Sequence, residues 1–342
     1  MKPRVHPHQD PLPEGEGKPQ PAPPKRYEPV DLSGVQPIPI ASRENLVRVE
    51  AFGRPVSTSA TVKDFLASLP AILGAESLRE LAAAIAGARA RGRPVVFAMG
   101  AHVVKVGCGP LVIDLMERGI VTAIAVNGAF PIHDFEVALI GETSEDVGEN
   151  VRNGRFGMAR ETAETFARAA RRAAAKRIGL GRAIGDEVLA ANLPNARLSV
   201  LAAAARLGVP ASVHVAVGTD TIHMHPGISG ADLGEASHTD FKLMAAVVCD
   251  LEGGVWANIG SAVILPEVFL KLVTIARNLG HPLDDVTAAN LDMLSHYRTS
   301  ANVLARPVKR GISILGHHEI LLPLLRVAVL DALESNGDDG RA

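Results

Sequence analysis

The segment from Val95 to Asp134 constrains the fold of this 342-residue chain more than any other. A short apolar run begins at Val95 and stops at Met99-Gly100. An amphipathic helical stretch then continues to about Arg118, and a second apolar run covers 121–126. Strand, helix and strand in this order form a βαβ unit, whose two strands are parallel with a right-handed crossover. Ligands of such sheets bind at the carboxyl ends of the strands, so the segment predicts a small-molecule site there.

The same alternation of apolar runs and helical stretches continues along the chain. Further strands are predicted at 212–217, 255–259, 286–291 and 311–315, and most of them end in a turn with glycine or polar residues. Hydrophobic residues make up 47% of the chain and aromatic residues only 4%, as in parallel strands covered by helices on both faces. The sequence therefore predicts an α/β fold, a Rossmann-like parallel sheet in three layers.

Proline content divides the chain. Eleven of the 23 prolines fall within the first 40 residues. Such a segment cannot bury enough apolar surface to offset its ordering entropy. We predict a disordered tail over 1–44, a single domain over 45–336 and a disordered end over 337–342.

Charge and cysteine usage narrow the class of protein. A net charge of −2 gives no reason to expect nucleic acid or an anionic membrane as partner. Cys108 and Cys249 cannot form a disulfide framework, which suits a reducing cytoplasm. No apolar run is long enough to span a membrane, and the N-terminus lacks the apolar core of a signal peptide. These features predict a cytoplasmic protein with a small-molecule partner.

Acidic and histidine residues follow the second strand at His133, Asp134 and Glu136. Carboxylates at a strand end can hold ribose hydroxyls or a cationic amine, and a histidine can take a proton. The alternative is that Asp134 is the N-cap of a helix that runs through Leu139. Thr219-Asp220 presents the same choice.

The glycines at the strand ends also have two interpretations. They either let the backbone approach a phosphate or only make tight turns. The chain lacks GxGxxG in the usual place and lacks GxxxxGK[ST], and Gly107-Cys108-Gly109 lies within a predicted helix. A dinucleotide would therefore bind in another Rossmann-like manner.

A histidine cluster leaves a second hypothesis open. His223-Met224-His225 resembles the HxH of metal hydrolases, with His238 nearby. Pro226-Gly227 follows at once, so a polar substrate loop is the other interpretation. We expect no metal in the principal hypothesis.

Taken together, five segments resemble the deoxyhypusine synthase superfamily, a Rossmann-like NAD-binding family. They are FAMGAHVVKVG, VNGAFPIHDFE, VGTDT, NIGSAV and GHHEILLPLL, in the family's order along residues 90–335. The resemblance implies a homo-oligomer, a tetramer in that family, with NAD as cofactor. It implies that the cofactor-binding residues are Gly100, Ala101, Asn127, Gly128, Thr219, Asp220, Gly260 and Ser261, with Glu136 and His317 beside them.

The chain departs from the synthase where the family carries its reacting lysine. The nearest lysine is Lys309 in ARPVKRGI, and Ile264-Leu265-Pro266 replaces the family's Lys-His-His. VNGAFPIHDFE also resembles the Asn turn and His-Asp-Ile-Glu of an archaeal ornithine cyclodeaminase family. The resemblance thus implies an NAD-dependent transferase or lyase that oxidises or transfers an amine or amino acid, with candidate catalytic residues His133, Asp134, Glu136, His317 and Lys309. The alternatives are a non-catalytic NAD-binding protein of the same fold and a metal-dependent hydrolase that uses the histidine cluster.

Overall fold

The computed structural model describes residues 25–335 and 337, and the chain divides into two units between Val47 and Arg48. The described part of the first unit, 25–47, is exposed throughout and contains one 3-10 turn, Ile40–Ser42. The predicted tail over 1–44 and the predicted disordered end over 337–342 lie mostly outside the described residues. These boundaries stay predictions.

The second unit is built on one sheet of six parallel strands. The strands are β1 (Val95–Met99), β2 (Ala123–Asn127), β3 (Ala211–His214), β4 (Val255–Ile259), β5 (Thr287–Asp292) and β6 (Arg310–Leu315). Their spatial order is β3-β2-β1-β4-β5-β6, the order of doubly wound dinucleotide-binding sheets. The predicted Rossmann-like α/β fold is confirmed.

Helices connect the strands and cover the sheet. They are α1 (Val62–Ser68), α2 (Leu73–Ala90), α3 (His102–Lys105), α4 (Gly109–Glu117), α5 (Phe130–Ile140), α6 (Val147–Arg152), α7 (Arg160–Lys176), α8 (Leu180–Ala190), α9 (Val200–Leu207), α10 (Gly230–Cys249), α11 (Ile264–Asn278), α12 (Tyr297–Thr299) and α13 (His318–Ser335). Short 3-10 turns occur at Val49–Ala51, Ala196–Leu198 and Thr221–Met224, and a π-helical turn follows α12 at Ser300–Ala305. No helix among the described residues is long and apolar enough to cross a membrane.

Strands β1 to β5 are buried along almost their whole length because both faces of the sheet are covered there, whereas the edge strand β6 is exposed at four of its six positions. On β1, Phe97 and Met99 belong to one hydrophobic core, while Val96 belongs to the core on the other face. In that second core the Trp256 ring stacks on Phe269 with ring centroids 4.4 Å apart. Two cores on either side of one sheet give the three layers that the composition predicted.

Two local predictions were wrong. The predicted helix that follows β1 is broken into α3 and α4 at Gly107, whose φ of +76° is a left-handed conformation that ends a helix. Asp134 is not the N-cap of α5, because that helix begins at Phe130 and Asp134 lies in its second turn. The Phe130 N–H is instead satisfied by Asn127 Oδ1 at 3.1 Å.

Candidate active site at the carboxyl edge of the sheet

The strand order reverses between β1 and β4, and a glycine directly follows each of the two strands. The Gly100 N–H donates to the Ile259 carbonyl at 2.9 Å, and the Gly260 N–H donates to the Leu291 carbonyl at 3.0 Å. An ideal Cβ on Gly100 would lie 2.1 Å from the Gly260 carbonyl oxygen, so the two turns touch through bare backbone. Such a reversal is where ligands of open α/β sheets bind.

Two histidines and an acid surround this reversal. His318, the first residue of α13, is 1% exposed and its Nε2 lies 3.1 Å from the Leu291 carbonyl. Its ring is 2.7 Å from an ideal Cβ on Gly260, and its centroid is 5.6 Å from that of His102. Asp292, the last residue of β5, is 7% exposed, and its Oδ1 accepts from the Met293 N–H. The ends of β1, β5 and β6 therefore bring titratable groups together around Gly260.

The electrostatics of this cluster favour a neutral His102. Partial burial lowers the pKa of His102, and the nearby His318 and Lys105 lower it further, against the opposing charges of Glu319 and Asp292. The Nδ1 atom of His318 is buried and has no hydrogen-bond partner. The neutral His102 ring can take a proton from a bound ligand, and the His318 Nδ1 atom beside it can accept a hydrogen bond.

Other residues predicted at this edge make mostly backbone contacts. Ala101 directly precedes α3, and the Ser261 hydroxyl accepts from the Leu265 N–H near the start of α11. His317 is 60% exposed in its side chain, and its Nδ1 lies 3.8 Å from Glu319. Cys108 is buried below, and burial followed by the charge of Glu319 raises the pKa of its thiol.

At the end of β2, a buried carboxylate lies against a glycine. An ideal Cβ on Gly128 would be 2.0 Å from Asp220 Oδ2, so this oxygen sits directly over the bare backbone. Burial raises the pKa of Asp220, while His223 and Thr219 oppose that shift. The Thr219 hydroxyl itself donates to the Ala216 carbonyl at 2.7 Å. The predicted residues Gly128 and Asp220 thus meet across the ends of β2 and β3.

Of the five candidate catalytic residues, two form a cluster on α5. His133 Nδ1 lies 2.7 Å from the Thr143 hydroxyl, which donates to Glu136 at 2.5 Å. Burial would raise the pKa of Glu136, but hydrogen bonds from His133 and Thr143 outweigh it and the pKa is lowered. This cluster therefore holds a negative charge on α5, the helix that leaves the end of β2.

Asp134 lies between His133 and Glu136 in sequence, but its side chain contacts the start of α9 instead of their cluster. It is 1% exposed and accepts from the Ser199 hydroxyl at 2.5 Å and from the Val200 and Leu201 N–H groups at 2.7 and 3.2 Å. Burial raises its pKa to about 6, although these three donors lower it. Asp134 therefore caps α9, and both of its carboxylate oxygens are occupied.

Lys309 lies at the opposite edge of the sheet. It precedes β6, whereas the other candidates follow strands, and parallel strands all begin at one edge and end at the other. Its ammonium donates to Asp284 at 3.0 Å, and its side chain is 77% exposed. The structure does not bring Lys309 to the other candidate residues.

The three histidines of the metal hypothesis have separate surroundings. His223 Nδ1 accepts from backbone, His225 Nε2 lies 2.8 Å from the Gly157 carbonyl, and His238 stacks on Phe241. Among residues 25–335, no group of three or more histidine, cysteine, aspartate or glutamate side chains could hold a metal ion.

Sequence reasoning missed Asp292, and it placed His102 and His318 in turns at the sheet edge without singling them out as catalytic candidates. Asp292 directly follows the run predicted as a strand at 286–291, which was the available signal. His318 stood beside His317, and only the structure shows which of the two neighbours is buried.

Comparisons with known proteins locate the fold. No protein-family model and no curated protein matches the chain. The structure of the ternary complex of AgrE with ornithine and NAD+ is similar over 82% of this chain and 34% of AgrE, with a TM-score of 0.52 at 14% identity. Unliganded AgrE is similar over 80% of this chain and 33% of its own, with a TM-score of 0.51 at 15% identity.

A putative deoxyhypusine synthase from Entamoeba histolytica matches 85% of this chain and 99% of its own length, at 11% identity and a TM-score of 0.47. The chain spans about a third of the length of AgrE. At such identities the likeness shows the fold and nothing finer. At that level the expected fold is confirmed: the chain has a Rossmann-like fold similar to part of AgrE.

Proposed function

We propose that this protein is an NAD-dependent enzyme that oxidises or transfers an amine or amino-acid-type substrate at the carboxyl edge of its sheet. The observation that carries the proposal is the reversal of strand order between β1 and β4, where a glycine directly follows each strand. A solved relative in fold is described as a complex with ornithine and NAD+, which gives the substrate class to test.

The residues present fit a dinucleotide. Gly100 and Gly260 let the turns after β1 and β4 pack against each other at the reversal of strand order, where a dinucleotide would bind. Asp220 offers an unpartnered carboxylate oxygen over Gly128. We assign the cofactor to the strand-end residues Gly100, Ala101, Asn127, Gly128, Thr219, Asp220, Gly260 and Ser261. Bound NAD+ would supply the hydride acceptor.

The remaining groups suit an amine. Asp292 and Glu319 provide negative charge near the ends of β5 and β6, and His133 with Glu136 provides more on α5. Such groups hold a cationic amine by charge, and His102 is positioned to take its proton. Removal of a hydride from the carbon and a proton from the nitrogen leaves an imine, which can be transferred, cyclised or hydrolysed.

The proposal is tested by titration calorimetry with NAD+, followed by turnover assays with ornithine and other diamino acids in which reduced nicotinamide is measured. We expect saturable NAD+ binding and substrate-dependent reduction. The His102→Gln variant should bind NAD+ normally and lose about 100-fold in turnover. The control is His281→Gln, a half-buried histidine between α11 and β5. Absence of heat and of thermal stabilisation at millimolar NAD+ would refute the proposal.

A non-catalytic NAD-binding protein is the second candidate. Its supporting observation is that Lys309 lies at the far edge of the sheet and so does not take the place of the reacting lysine of the synthases. NAD+ binding without turnover of any amine would favour it over the enzyme.

An exposed apolar rim supports a homo-oligomer as part of this proposal. Five apolar side chains at the carboxyl edge of the sheet are exposed. Val263 follows β4, Met293 and Leu294 follow β5, Leu315 ends β6, and Ile320 lies in the first turn of α13. Patches of this kind mark interaction sites. Light scattering should give a molar mass that is a multiple of the mass of one chain. The double variant Leu294→Lys/Ile320→Lys should lower that molar mass. Free Cys108 and Cys249 agree with the proposed reducing cytoplasm.

A further inference from the structure

The arginines of α7 differ in whether they have an acidic partner. On the side that faces α8, Arg172 pairs with Asp186, and Arg168 Nε lies 3.3 Å from a carboxylate oxygen of Glu187. Arg160 and Arg171 form no ion pair and no side-chain hydrogen bond with any residue that the structure describes. A guanidinium group stays charged at every physiological pH, so these two side chains attract anions.

Both arginines line a cavity of about 540 Å³ between α7 and residues 225–227 of the loop after β3. The loop is held in place there, because His225 Nε2 donates to the Gly157 carbonyl at 2.8 Å. An ideal Cβ on Gly227 would lie 3.9 Å from the Ala167 Cβ, so the loop passes directly over α7. A concave space of this volume suits a small molecule.

Positive charge lies at the two ends of this cavity and an apolar surface lies between them. Arg160 is in the first turn of α7, whereas Arg168 and Arg171 follow two to three turns later. Eight residues of helix measure about 12 Å, so the two groups of guanidinium side chains start from well-separated points. Ala163 and Ala167 line the cavity between them, because residues three and four apart share a helix face.

We propose that this cavity binds an organic anion with two carboxylate groups at the ends of a short carbon chain. Arg160 pairs with one carboxylate and Arg171 with the other, each guanidinium offering two parallel hydrogen bonds. The carbon chain lies on the two alanines. Glu164, also in the cavity, repels an anion whose charge is concentrated in the middle and so favours one with charge at its ends.

The experiment is calorimetric titration of the full chain at low ionic strength with three probes. Adipate has a carboxylate at each end of a six-carbon chain, hexanoate has the same number of carbon atoms and one carboxylate, and sulfate is a compact dianion. We expect saturable binding of adipate, at least about 10-fold tighter than binding of either other probe, because only adipate reaches both ends of the cavity.

Four substitutions at exposed positions of α7 test the assignment of each charge. Arg160→Gln and Arg171→Gln each remove one guanidinium and should each weaken adipate binding about 3- to 10-fold. Glu164→Gln removes the competing carboxylate and should tighten adipate binding about 2- to 5-fold. Lys176→Gln, in the last turn of α7 and outside the cavity, is the matched control and should leave adipate affinity unchanged.

Melting temperatures without ligand check that the variants fold. The proposal is overturned if adipate does not bind, if hexanoate or sulfate binds equally well, or if adipate affinity is unchanged in both arginine variants. An equal loss in Lys176→Gln would show general attraction by positive charge and also overturn it. Titration with NAD+ separates this proposal from the proposed function: the arginine variants should bind NAD+ as the wild type does, and loss of NAD+ binding would assign the cavity to the cofactor instead.

Discussion

Three buried aspartates contrast two regions of this molecule. In the helical layer, Asp134 accepts from three donors at the start of α9, and Asp240 Oδ2 accepts from the N–H groups of Leu180, Gly181 and Val213 at 2.9 to 3.0 Å. In the loop after β3, Asp220 Oδ2 has no partner at all. All three residues are at least 91% buried.

The carboxylates of the two regions differ in the groups that they contact. Asp134 and Asp240 satisfy the N–H groups that the starts of α9 and α8 leave without partners, and they join these helices to α5 and α10. Asp220 caps nothing through Oδ2 and faces a bare glycine at the sheet edge. Burial of an acid therefore does not identify a site, and neither does one unpartnered oxygen, because Asp240 Oδ1 also lacks a partner and lies 2.1 Å from an ideal Cβ on Gly179. What distinguishes Asp220 is its position at the carboxyl edge of the sheet, against the turn after β2.

The largest effect should follow removal of the Asp240 carboxylate. Asp240→Ala leaves three buried N–H groups without an acceptor, so we expect the free energy of unfolding to fall by about 3–5 kcal/mol. Urea denaturation measures it. Asp250→Ala is the control, because Asp250 is exposed in its salt bridge with Arg93 and should cost less than about 1 kcal/mol. Equal losses would show that Asp240 does not hold the helix.

Asp134→Asn should be destabilising although it conserves shape. Both Asp134 oxygens accept hydrogen bonds, so an amide must place its NH2 against a donor. We expect a loss of about 2–4 kcal/mol in urea denaturation. Ser199→Ala, which removes one of the three donors and the N-cap of α9, should cost about 1 kcal/mol. An Asp134→Asn variant as stable as the wild type would contradict the capping role.

The third prediction concerns pH. Burial raises the pKa of Asp240 to about 7 in the folded protein, above its ordinary value of 3.8, despite its three N–H donors. The stability that this group contributes is therefore complete below about pH 4 and is lost as pH rises through about 7. Asp240→Asn stays neutral, with its NH2 replacing the unpartnered Oδ1.

The variant should match the wild type to within about 1 kcal/mol near about pH 4 and be more stable by about 4 kcal/mol near about pH 8. Denaturant titrations at the two pH values measure this difference. A difference that does not change with pH would show that Asp240 does not titrate in this range.

Asp220→Asn should behave in the opposite way to Asp134→Asn. It removes a buried charge that has no donor on Oδ2, so the free protein should be unchanged or more stable by up to about 1 kcal/mol. Thermal melting without ligand checks it. A loss above about 2 kcal/mol would place Asp220 with the structural carboxylates and remove the contrast between the regions.

The smallest effect is expected at the far edge of the sheet. Lys309→Ala breaks an exposed ion pair with Asp284 and should change the free energy of unfolding by less than about 0.5 kcal/mol. It should also leave NAD+ affinity and any turnover unchanged. A large loss of turnover would return Lys309 to the candidate catalytic residues.

The sequence was sufficient for the elements and their class. Apolar runs ended by glycine or polar residues located all six strands to within a few residues, because strands of a covered parallel sheet are rich in apolar residues. The turns after β1, β2 and β4 followed from the same pattern. The helix boundaries at Gly107 and Phe130 did not, since they depend on one left-handed residue and one side-chain hydrogen bond.

What the sequence by itself determined was a parallel α/β sheet with polar strand ends, since alternation along the chain is local. Only the tertiary structure decided which polar groups are free, because their partners are distant in sequence. Asp134 meets Ser199 across 65 residues, and Asp240 meets Leu180 across 60. The same pattern of residue types would predict a site at Asp134 or at Asp220. The folded chain gives donors to Asp134 and leaves Asp220 Oδ2 without one, because a hydrogen bond is formed by position in space.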